Sequence, residues 1–291
     1  MTQQIKVPYY PGCTLSTTAK GFDNALRAST LALGLELVEL PEWNCCGATF
    51  PLLVDNVLDL AGPARVLVAG REAGERLAVA CTTCYNVLRR THLALAADEG
   101  RREKVSFFIE ADYEGDLEVL DVVQILRDEI GFDEIARMVS RPLAGLKAAA
   151  YYGCMVLRPP GEVAYDDPEN PRVLDDFLAA LGAETVDYPY KGECCGSYLA
   201  VLSPEVTATM ARTILVSAQK NGAQLMVTNC PLCQFNLDRQ QAEVSRQDFE
   251  YRPIPVFYFS QLLSVALGLE AVDAGWERHY VSPEPLLATF R

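Results

Sequence analysis

The chain has 291 residues, of which 50% are apolar, enough for one large or two medium globular domains with a substantial core. Its 25 basic and 39 acidic residues give a formal net charge of −14, which would repel a phosphate backbone and excludes nucleic acid as a partner. The N-terminal sequence lacks the pattern of a secretory signal, so we expect a cytoplasmic protein.

Short apolar runs that resemble buried strands recur along the chain, and each ends at or shortly before a cysteine. In chain order they cover residues 35–40, 76–80, 148–152, 185–188 and 224–228. Helical periodicity appears at residues 22–35, 63–77, 122–130 and 205–222. The repeated order of strand, cysteine loop and helix predicts an α/β fold with mainly parallel sheets, whose loops gather at the carboxyl ends of the strands.

Two further segments lack this pattern. Residues 97–118 are charged, and we expect an irregular, exposed connection there. Residues 256–269 form the most apolar segment, but they are fewer than the roughly 20 residues that a membrane-spanning helix needs. We therefore expect no integral membrane segment.

The ten cysteines divide into two sets of five that repeat along the chain. The first set is Cys13, Cys45, Cys46, Cys81 and Cys84; the second is Cys154, Cys194, Cys195, Cys230 and Cys233. The last four cysteines of each set are related by an offset of 149 residues, and the first by 141, because the second half carries eight additional residues there. Residues 119–131 also resemble residues 256–268. This internal duplication predicts two similar half-domains, residues 1–143 and 144–291, related by a pseudo-twofold axis.

Clustered cysteines in a large protein of a reducing compartment indicate metal binding or redox chemistry more than structural disulfides. Zinc would be satisfied by four cysteines in a tetrahedron, which leaves the fifth of each set unexplained. Iron-sulfur clusters are bound by cysteine thiolates, and a fifth ligand requires an unusual cluster or a bridging thiolate. Iron-sulfur binding is the favoured interpretation, with zinc and metal-free thiol chemistry as the alternatives.

Each Cys-Cys pair is followed by glycine, and 34 residues separate each pair from a C-x-x-C motif. In the order of its cysteines and the glycine after each pair, the chain closely resembles the B subunits of heterodisulfide reductases, a family with two Cys-Cys-Gly cysteine-rich domains. The spacing of 34 residues is about one shorter than in the methanogen members, which we interpret as a loop variant. The resemblance extends from Cys13 to about Leu269 and implies that each set of five cysteines binds one noncubane 4Fe-4S cluster. Gly47 and Gly196 would then permit the close backbone approach that two consecutive ligands require, and ordinary turn glycines are the alternative.

The resemblance implies a catalytic subunit that reduces a disulfide, such as that of coenzyme M and coenzyme B, between the two clusters. Electrons would come from a ferredoxin protein similar to the C subunits of such complexes, fed by a flavoprotein similar to their A subunits, because the sequence has no nucleotide-binding fingerprint of its own. Two alternatives remain open: an electron-transfer subunit without a disulfide substrate, and a zinc-stabilised interaction module.

Substrate contacts are less evident from the sequence. Lys191 lies three residues before Cys194 and Arg158 four after Cys154, so both are candidate contacts for an anionic disulfide. His92 and His279 could carry protons, although structural roles are favoured for both. If the halves are related by a twofold axis, both Cys-Cys-Gly loops should face one cleft, with the clusters on the order of 10 Å apart.

Overall fold

A computed structural model describes residues 4–48, 57–269 and 271–288 of the chain. The described residues form eight strands: β1 (Ile5–Tyr10), β2 (Leu35–Glu39), β3 (Arg76–Val79), β4 (Glu118–Asp121), β5 (Lys147–Ala150), β6 (Glu184–Thr185), β7 (Leu225–Thr228) and β8 (Val256–Tyr258). The helices of the first half are α1 (Gly12–Leu15), α2 (Lys20–Ala32), α3 (Ala61–Ala73), α4 (Thr82–Ala97), α5 (Glu99–Ile109), α6 (Val122–Ile125) and α7 (Phe132–Met138). Those of the second half are α8 (Pro160–Val163), α9 (Val173–Ala180), α10 (Pro204–Lys220), α11 (Pro231–Arg239), α12 (Gln241–Gln247), α13 (Phe259–Ala266) and α14 (Glu284–Leu287).

The strands form two four-stranded sheets in which every neighbouring pair is parallel. The orders are β2-β1-β3-β4 and β6-β5-β7-β8, so the second sheet repeats the topology of the first. The central strands β3 and β7 are almost wholly buried, as expected for parallel strands covered by helices on both faces. The predicted α/β fold with duplicated, mainly parallel sheets is confirmed.

Each cysteine lies on a loop or at a helix start that follows a strand. Cys13 follows β1, Cys81 follows β3 and Cys230 follows β7, so the cysteines gather at the carboxyl ends of the sheets. Cys81 and Cys230 are the N-cap residues of α4 and α11. The second cysteine of each C-x-x-C motif therefore lies in the first turn of a helix.

Each half packs one of its helices against a helix of the other half. Helix α13, which follows the last strand of the second sheet, packs on α2 of the first half, where the Phe22 and Phe259 ring centroids are 5.6 Å apart. Reciprocally, α7 of the first half packs on α9 of the second, with Phe132 and Phe177 5.8 Å apart. Phe259 also contacts Phe177, at 5.7 Å, which joins the two contacts into one aromatic core. This reciprocity agrees with the predicted pseudo-twofold relation.

The expectation for residues 97–118 was wrong over half of that segment. Residues 99–109 form α5, whose N-cap Asp98 accepts a hydrogen bond from the backbone N–H of Arg101. Val105 and Ile109, four residues apart, face inward and are buried. The charged residues occupy the exposed faces of the helix and mask this short apolar stripe in the sequence.

The apolar segment at residues 256–269 forms β8 and α13, which are buried inside the fold. None of the helices that the structure describes has both the length and the hydropathy needed to cross a membrane.

Candidate metal centre

The five cysteines of the first half lie close together. The Sγ atoms of Cys13 and Cys45 are 3.8 Å apart, and those of Cys46 and Cys84 are 3.3 Å apart. The neighbouring thiols of Cys46 and Cys81 both raise the pKa of Cys84, so the C-x-x-C motif lies against the Cys-Cys pair. Cys13 and Cys45 are exposed, whereas the other three are buried.

The second half repeats this arrangement. The Sγ atoms of Cys195 and Cys233 are 3.4 Å apart. The Cys233 thiol also interacts with that of Cys230, and the Cys194 thiol with that of Cys154. Cys154 and Cys194 are partly exposed, and the other three are buried. Each half therefore offers a group of five thiols with one side towards solvent and one side in the core.

The glycine after each Cys-Cys pair turns the backbone towards the sulfur atoms. Gly47 and Gly196 have positive φ angles of 91° and 74°, and their backbone N–H groups donate to the Sγ atoms of Cys45 and Cys194 at 3.4 and 3.3 Å. A side chain would be strained at this φ, and at Gly196 an added Cβ would lie 2.8 Å from Met210 Sδ. Glycine therefore suits both the turn and the bond to sulfur.

Tyr10 and Tyr151 hold the two Cys-Cys-Gly loops in place and are residues that the sequence interpretation missed. The Tyr10 hydroxyl donates to the carbonyl oxygen of Asn44 at 2.9 Å, and the Tyr151 hydroxyl donates to that of Glu193 at 2.6 Å. In both halves the accepting residue immediately precedes the Cys-Cys pair. The duplicated sequences "YYPGC" and "AYYGC" contain the signal that could have identified them.

The two groups of thiols are neighbours across the interface between the halves. Thr83, inside the first C-x-x-C motif, places its Oγ1 3.7 Å from the Sγ of Cys230 in the second half. The Tyr198 hydroxyl, two residues beyond Gly196, donates to the carbonyl oxygen of Ala48, which follows the first Cys-Cys-Gly motif. The loops of both halves thus lie against each other at one place in the molecule.

In several pairs of thiols in contact, the pKa of one is lowered and the pKa of the other is raised. A thiol hydrogen bond with Cys84 lowers the pKa of Cys46 to about 7, and one with Cys154 lowers that of Cys194 to about 6. A bond with Cys233 likewise lowers the pKa of Cys230 to about 6, while the pKa of Cys233 is raised well above its usual value. Each group can therefore provide thiolates near neutral pH, and thiolate is the form that binds metal.

The structure places both candidate substrate contacts in ion pairs. The Lys191 ammonium is buried, 3.7 Å from a carboxylate oxygen of Asp175 and 3.3 Å from one of Asp187. Arg158 lies at the surface, where it donates to a carboxylate oxygen of Glu169 at 2.7 Å. These carboxylates offset the positive charges of both side chains. Substrate binding by Lys191 and Arg158 stays a prediction.

The two histidines are held within the fold. His92 Nδ1 is 2.7 Å from the Tyr113 hydroxyl, and His279 Nε2 is 3.1 Å from the side-chain amide of Gln261. These contacts support the structural roles that the sequence favours.

The donor chemistry fits an iron-sulfur group. Every donor in each group is a cysteine sulfur, and Gly47 and Gly196 add backbone N–H bonds to sulfur, which are features of iron-sulfur sites. Within residues 4–48, 57–269 and 271–288, no three His, Cys, Asp or Glu side chains are arranged as ligands of a single ion. The thiols instead contact one another, with Cys84 and Cys233 each next to two others.

Comparison with known proteins finds one cysteine-rich domain twice in this chain. The model of the CCG cysteine-rich domain matches residues 7–89 and 148–238. The 8-methylmenaquinol:fumarate reductase membrane anchor subunit of Wolinella succinogenes is 30% identical, over 97% of this chain and 99% of the relative. An Archaeoglobus profundus protein, named as similar to the B subunit of heterodisulfide reductase, is 31% identical, over 91% and 92%. The B subunit of the CoB-CoM heterodisulfide reductase of Methanosarcina acetivorans that depends on ferredoxin or F420H2 is 28% identical, over 97% and 96%.

A solved structure supports the fold. A hypothetical protein from Helicobacter pylori matches 94% of this chain and 51% of its own, with a TM-score of 0.73 and 11% identity. Each family match contains the five cysteines of one group, and the strands β4 and β8 lie beyond the two matches. The chain therefore belongs to the CCG cysteine-rich domain family, among relatives that include the B subunits of heterodisulfide reductases.

Proposed function

We propose that this chain is the catalytic iron-sulfur subunit of a heterodisulfide reductase-like complex, which reduces a disulfide between two noncubane 4Fe-4S clusters. One observation carries the proposal: two groups of five thiols lie side by side, joined by the contact between Thr83 and Cys230. A disulfide has two sulfur atoms, and two neighbouring groups of similar chemistry suit the two ends of that bond.

The ligands in this proposal are the ten cysteines. Cys13, Cys45, Cys46, Cys81 and Cys84 would hold one cluster; Cys154, Cys194, Cys195, Cys230 and Cys233 would hold the other. When bound, the clusters supply the two electrons that cleave the sulfur-sulfur bond. Gly47 and Gly196 donate to ligand sulfurs, and Tyr10 and Tyr151 hold the Cys-Cys-Gly loops in position.

Solvent would reach each site from one side only. Cys13 and Cys45 are exposed, whereas Cys46, Cys81 and Cys84 are buried beneath them. The protein thus shields the inner side of the site and leaves an outer side for substrate, for protons or for a partner protein. Relatives named as subunits of larger complexes support a partner that delivers electrons. For this role we propose a ferredoxin similar to the C subunits of heterodisulfide reductases, fed by a flavoprotein similar to their A subunits.

A second candidate is an electron-transfer subunit without a disulfide substrate. The Wolinella succinogenes relative, named for a fumarate reductase, favours this alternative because it is similar over the whole length of the chain. Both candidates require iron, whereas a zinc-stabilised module does not.

Metal analysis and turnover separate these functions. Anaerobically purified chain should contain iron and acid-labile sulfide in equal amounts, and Cys46→Ser should lose about half of both, because each half has its own five ligands. The matched variant Cys195→Ser should lose the other half. Stoichiometric zinc with little iron would rule out the iron-sulfur assignment.

Reduced viologen and a series of disulfides test the reaction itself. The proposed reductase oxidises the viologen only when a disulfide is present, and Cys46→Ser lowers this rate at least tenfold. Full iron content without turnover of any disulfide would instead support the electron-transfer role.

A further inference from the structure

A cavity of about 550 Å³ opens between the two halves, within the usual size range of small-molecule sites. The first half contributes Thr14, Thr18 and Phe22 to its wall, and the second half contributes Leu232 and Phe235. Thr14 follows Cys13 directly, and Leu232 lies between Cys230 and Cys233. Residues next to cysteines of both groups thus form part of the cavity wall.

Most polar groups in the cavity wall are already bonded within the protein. Gln234 donates to Asp238 and to the carbonyl oxygen of Val256, and its own oxygen accepts from the Tyr258 hydroxyl at 3.1 Å. Gln261 donates to the carbonyl oxygen of Ala274 at 2.6 Å. A ligand would therefore meet mainly carbon surface.

The charges around the cavity do not favour an anion. Burial lowers the pKa of His279 to about 4, so this imidazole is neutral near pH 7. The Asp238 carboxyl lies behind the wall and accepts from the backbone N–H groups of Tyr280 and Val281. Arg278, also in the wall, is 3.4 Å from the Glu277 carboxylate and donates to the carbonyl oxygens of Thr17 and Thr18.

Two aromatic rings of the cavity wall are left open to solvent. The side chains of Phe235 and Tyr280 are 41% and 61% exposed, and their ring centroids are 6.0 Å apart. Exposed aromatic surface that borders a cavity is typical of a binding site.

The corresponding place on the other side of the pseudo-twofold axis is filled. Phe235 corresponds to Asn86, whose amide donates to the carbonyl oxygens of Met155 and Arg158 at 2.7 and 2.8 Å. The neighbouring Tyr85 hydroxyl donates to the carbonyl oxygen of Val163. These acceptors belong to the longer connection of the second half. The two equivalent positions therefore differ: the one at Asn86 is filled by polar contacts, and the one at Phe235 is open and apolar.

We propose that this cavity binds an uncharged, apolar carbon arm of the redox substrate, whose reacting sulfur lies at the neighbouring thiol groups. This inference rests on the proposed function for the identity of the reacting group. We therefore expect a disulfide substrate with at least one alkyl arm, and not a disulfide with two anionic arms. The wall offers aromatic and aliphatic carbon, and the one cation described in it, Arg278, is paired with Glu277.

Binding of thioethers tests the cavity without any turnover. Dialkyl thioethers of increasing chain length, which cannot be reduced, are titrated into anaerobic full-length chain and followed by NMR. Each added methylene should tighten binding roughly three- to fourfold until the cavity is full. Thr18→Trp, at an exposed position of the wall, should weaken the longest probe at least tenfold. Leu31→Trp, at an exposed position of α2 outside the wall, should leave binding unchanged.

A charge in the wall gives a second test. Phe235→Asp should abolish the dependence of affinity on chain length, whereas Phe107→Asp, on the exposed face of α5, should preserve it. Equal affinity for short and long thioethers in the unchanged protein, or equal binding by Thr18→Trp and Leu31→Trp, would overturn the inference.

Turnover distinguishes this inference from the proposed function. The reductase should prefer dibutyl disulfide to the disulfide of 2-mercaptoethanesulfonate, and Thr18→Trp should reduce that preference at least fivefold. Reduction of both disulfides at similar rates would overturn the cavity assignment and leave the reductase intact. Chain-length-dependent thioether binding without any disulfide turnover would overturn the reductase and leave an apolar-ligand site.

Discussion

At the scale of single residues, Asp121 is a carboxyl buried at the end of β4, close to the interface between the halves. It accepts hydrogen bonds from the backbone N–H of Val123 at 2.8 Å and from the Tyr165 hydroxyl at 3.1 Å, and its Oδ2 lies 3.4 Å from the Asn229 amide. Burial raises the pKa of Asp121 to about 7, and these bonds offset only part of that shift. The folded protein thus holds this proton more tightly than the unfolded chain.

A pH titration of stability tests this residue. Protonated Asp121 contributes its whole share of the folding stability below the unfolded pKa of 3.8. This share is lost as the pH rises through about 7, which lowers the free energy of unfolding by a few kcal/mol. In Asp121→Asn the fall should be smaller by this amount, and the part due to Asp238, whose pKa burial raises to about 6, should remain. The exposed Asp112→Asn is the control and should retain the whole fall. Parallel denaturation curves of the wild type and Asp121→Asn between pH 4 and pH 8 would contradict the prediction.

At the scale of elements, the C-terminal segment is held against α2 by backbone contacts. Asn24 donates to the carbonyl oxygen of Asp273 at 3.1 Å, and a Cβ at Gly21 would lie only 2.3 Å from the carbonyl oxygen of Ala274. Only glycine allows the chain to approach this closely. The segment then forms part of the wall of the cavity between the halves.

Replacing this glycine should displace the segment. We expect Gly21→Ala to destabilise the protein by about 1–3 kcal/mol, because the backbone must move to admit the methyl group. Limited proteolysis should cut residues 271–288 faster than in the wild type. In Gly161→Ala the methyl group would have no neighbour within 4 Å, so this control should be cut at the rate of the wild type. Equal rates in all three proteins would show that the contact does not hold the segment.

At the scale of the whole molecule, each half completes its core with a helix from the other. Phe259 of α13 lies between Phe22 and Phe177, and the Ser260 hydroxyl donates to the carbonyl oxygen of Phe22 at 2.9 Å. The backbone N–H groups of Ser140 and Arg141, near the predicted boundary, donate to the carbonyl oxygen of Ala266 at the end of α13. Neither half buries its apolar surface alone.

Separated halves should therefore fold only together. Residues 1–143 and 144–291, expressed alone, should aggregate or lack a cooperative unfolding transition, whereas coexpression should yield a complex with the size of the intact chain. Size-exclusion chromatography and thermal denaturation measure both properties. A stable, cooperatively folded single half would show that the exchanged helices are dispensable.

The sequence by itself determined the features that depend on short-range pattern and on repetition. Apolar runs before Cys81 and Cys230 identified central strands, and the constant offset of 149 residues identified two copies of one fold. The sequence also assigned the ten cysteines to two sets, because nearly the same spacing occurs in both halves. In α5 the charged residues concealed Val105 and Ile109, so the helix there could not be predicted from composition.

Only the tertiary structure decided how the two halves meet. The contact between Thr83 and Cys230 spans 147 residues, and the packing of Phe22 on Phe259 spans even more. Such contacts depend on the shapes of side chains across an interface. These shapes produce no periodic pattern in the sequence. The same reason applies to Lys191, whose partner Asp175 belongs to the separate element α9, and to the cavity beside Phe235. Local periodicity specifies the elements, whereas long-range packing specifies which surfaces are covered and which remain open to a ligand.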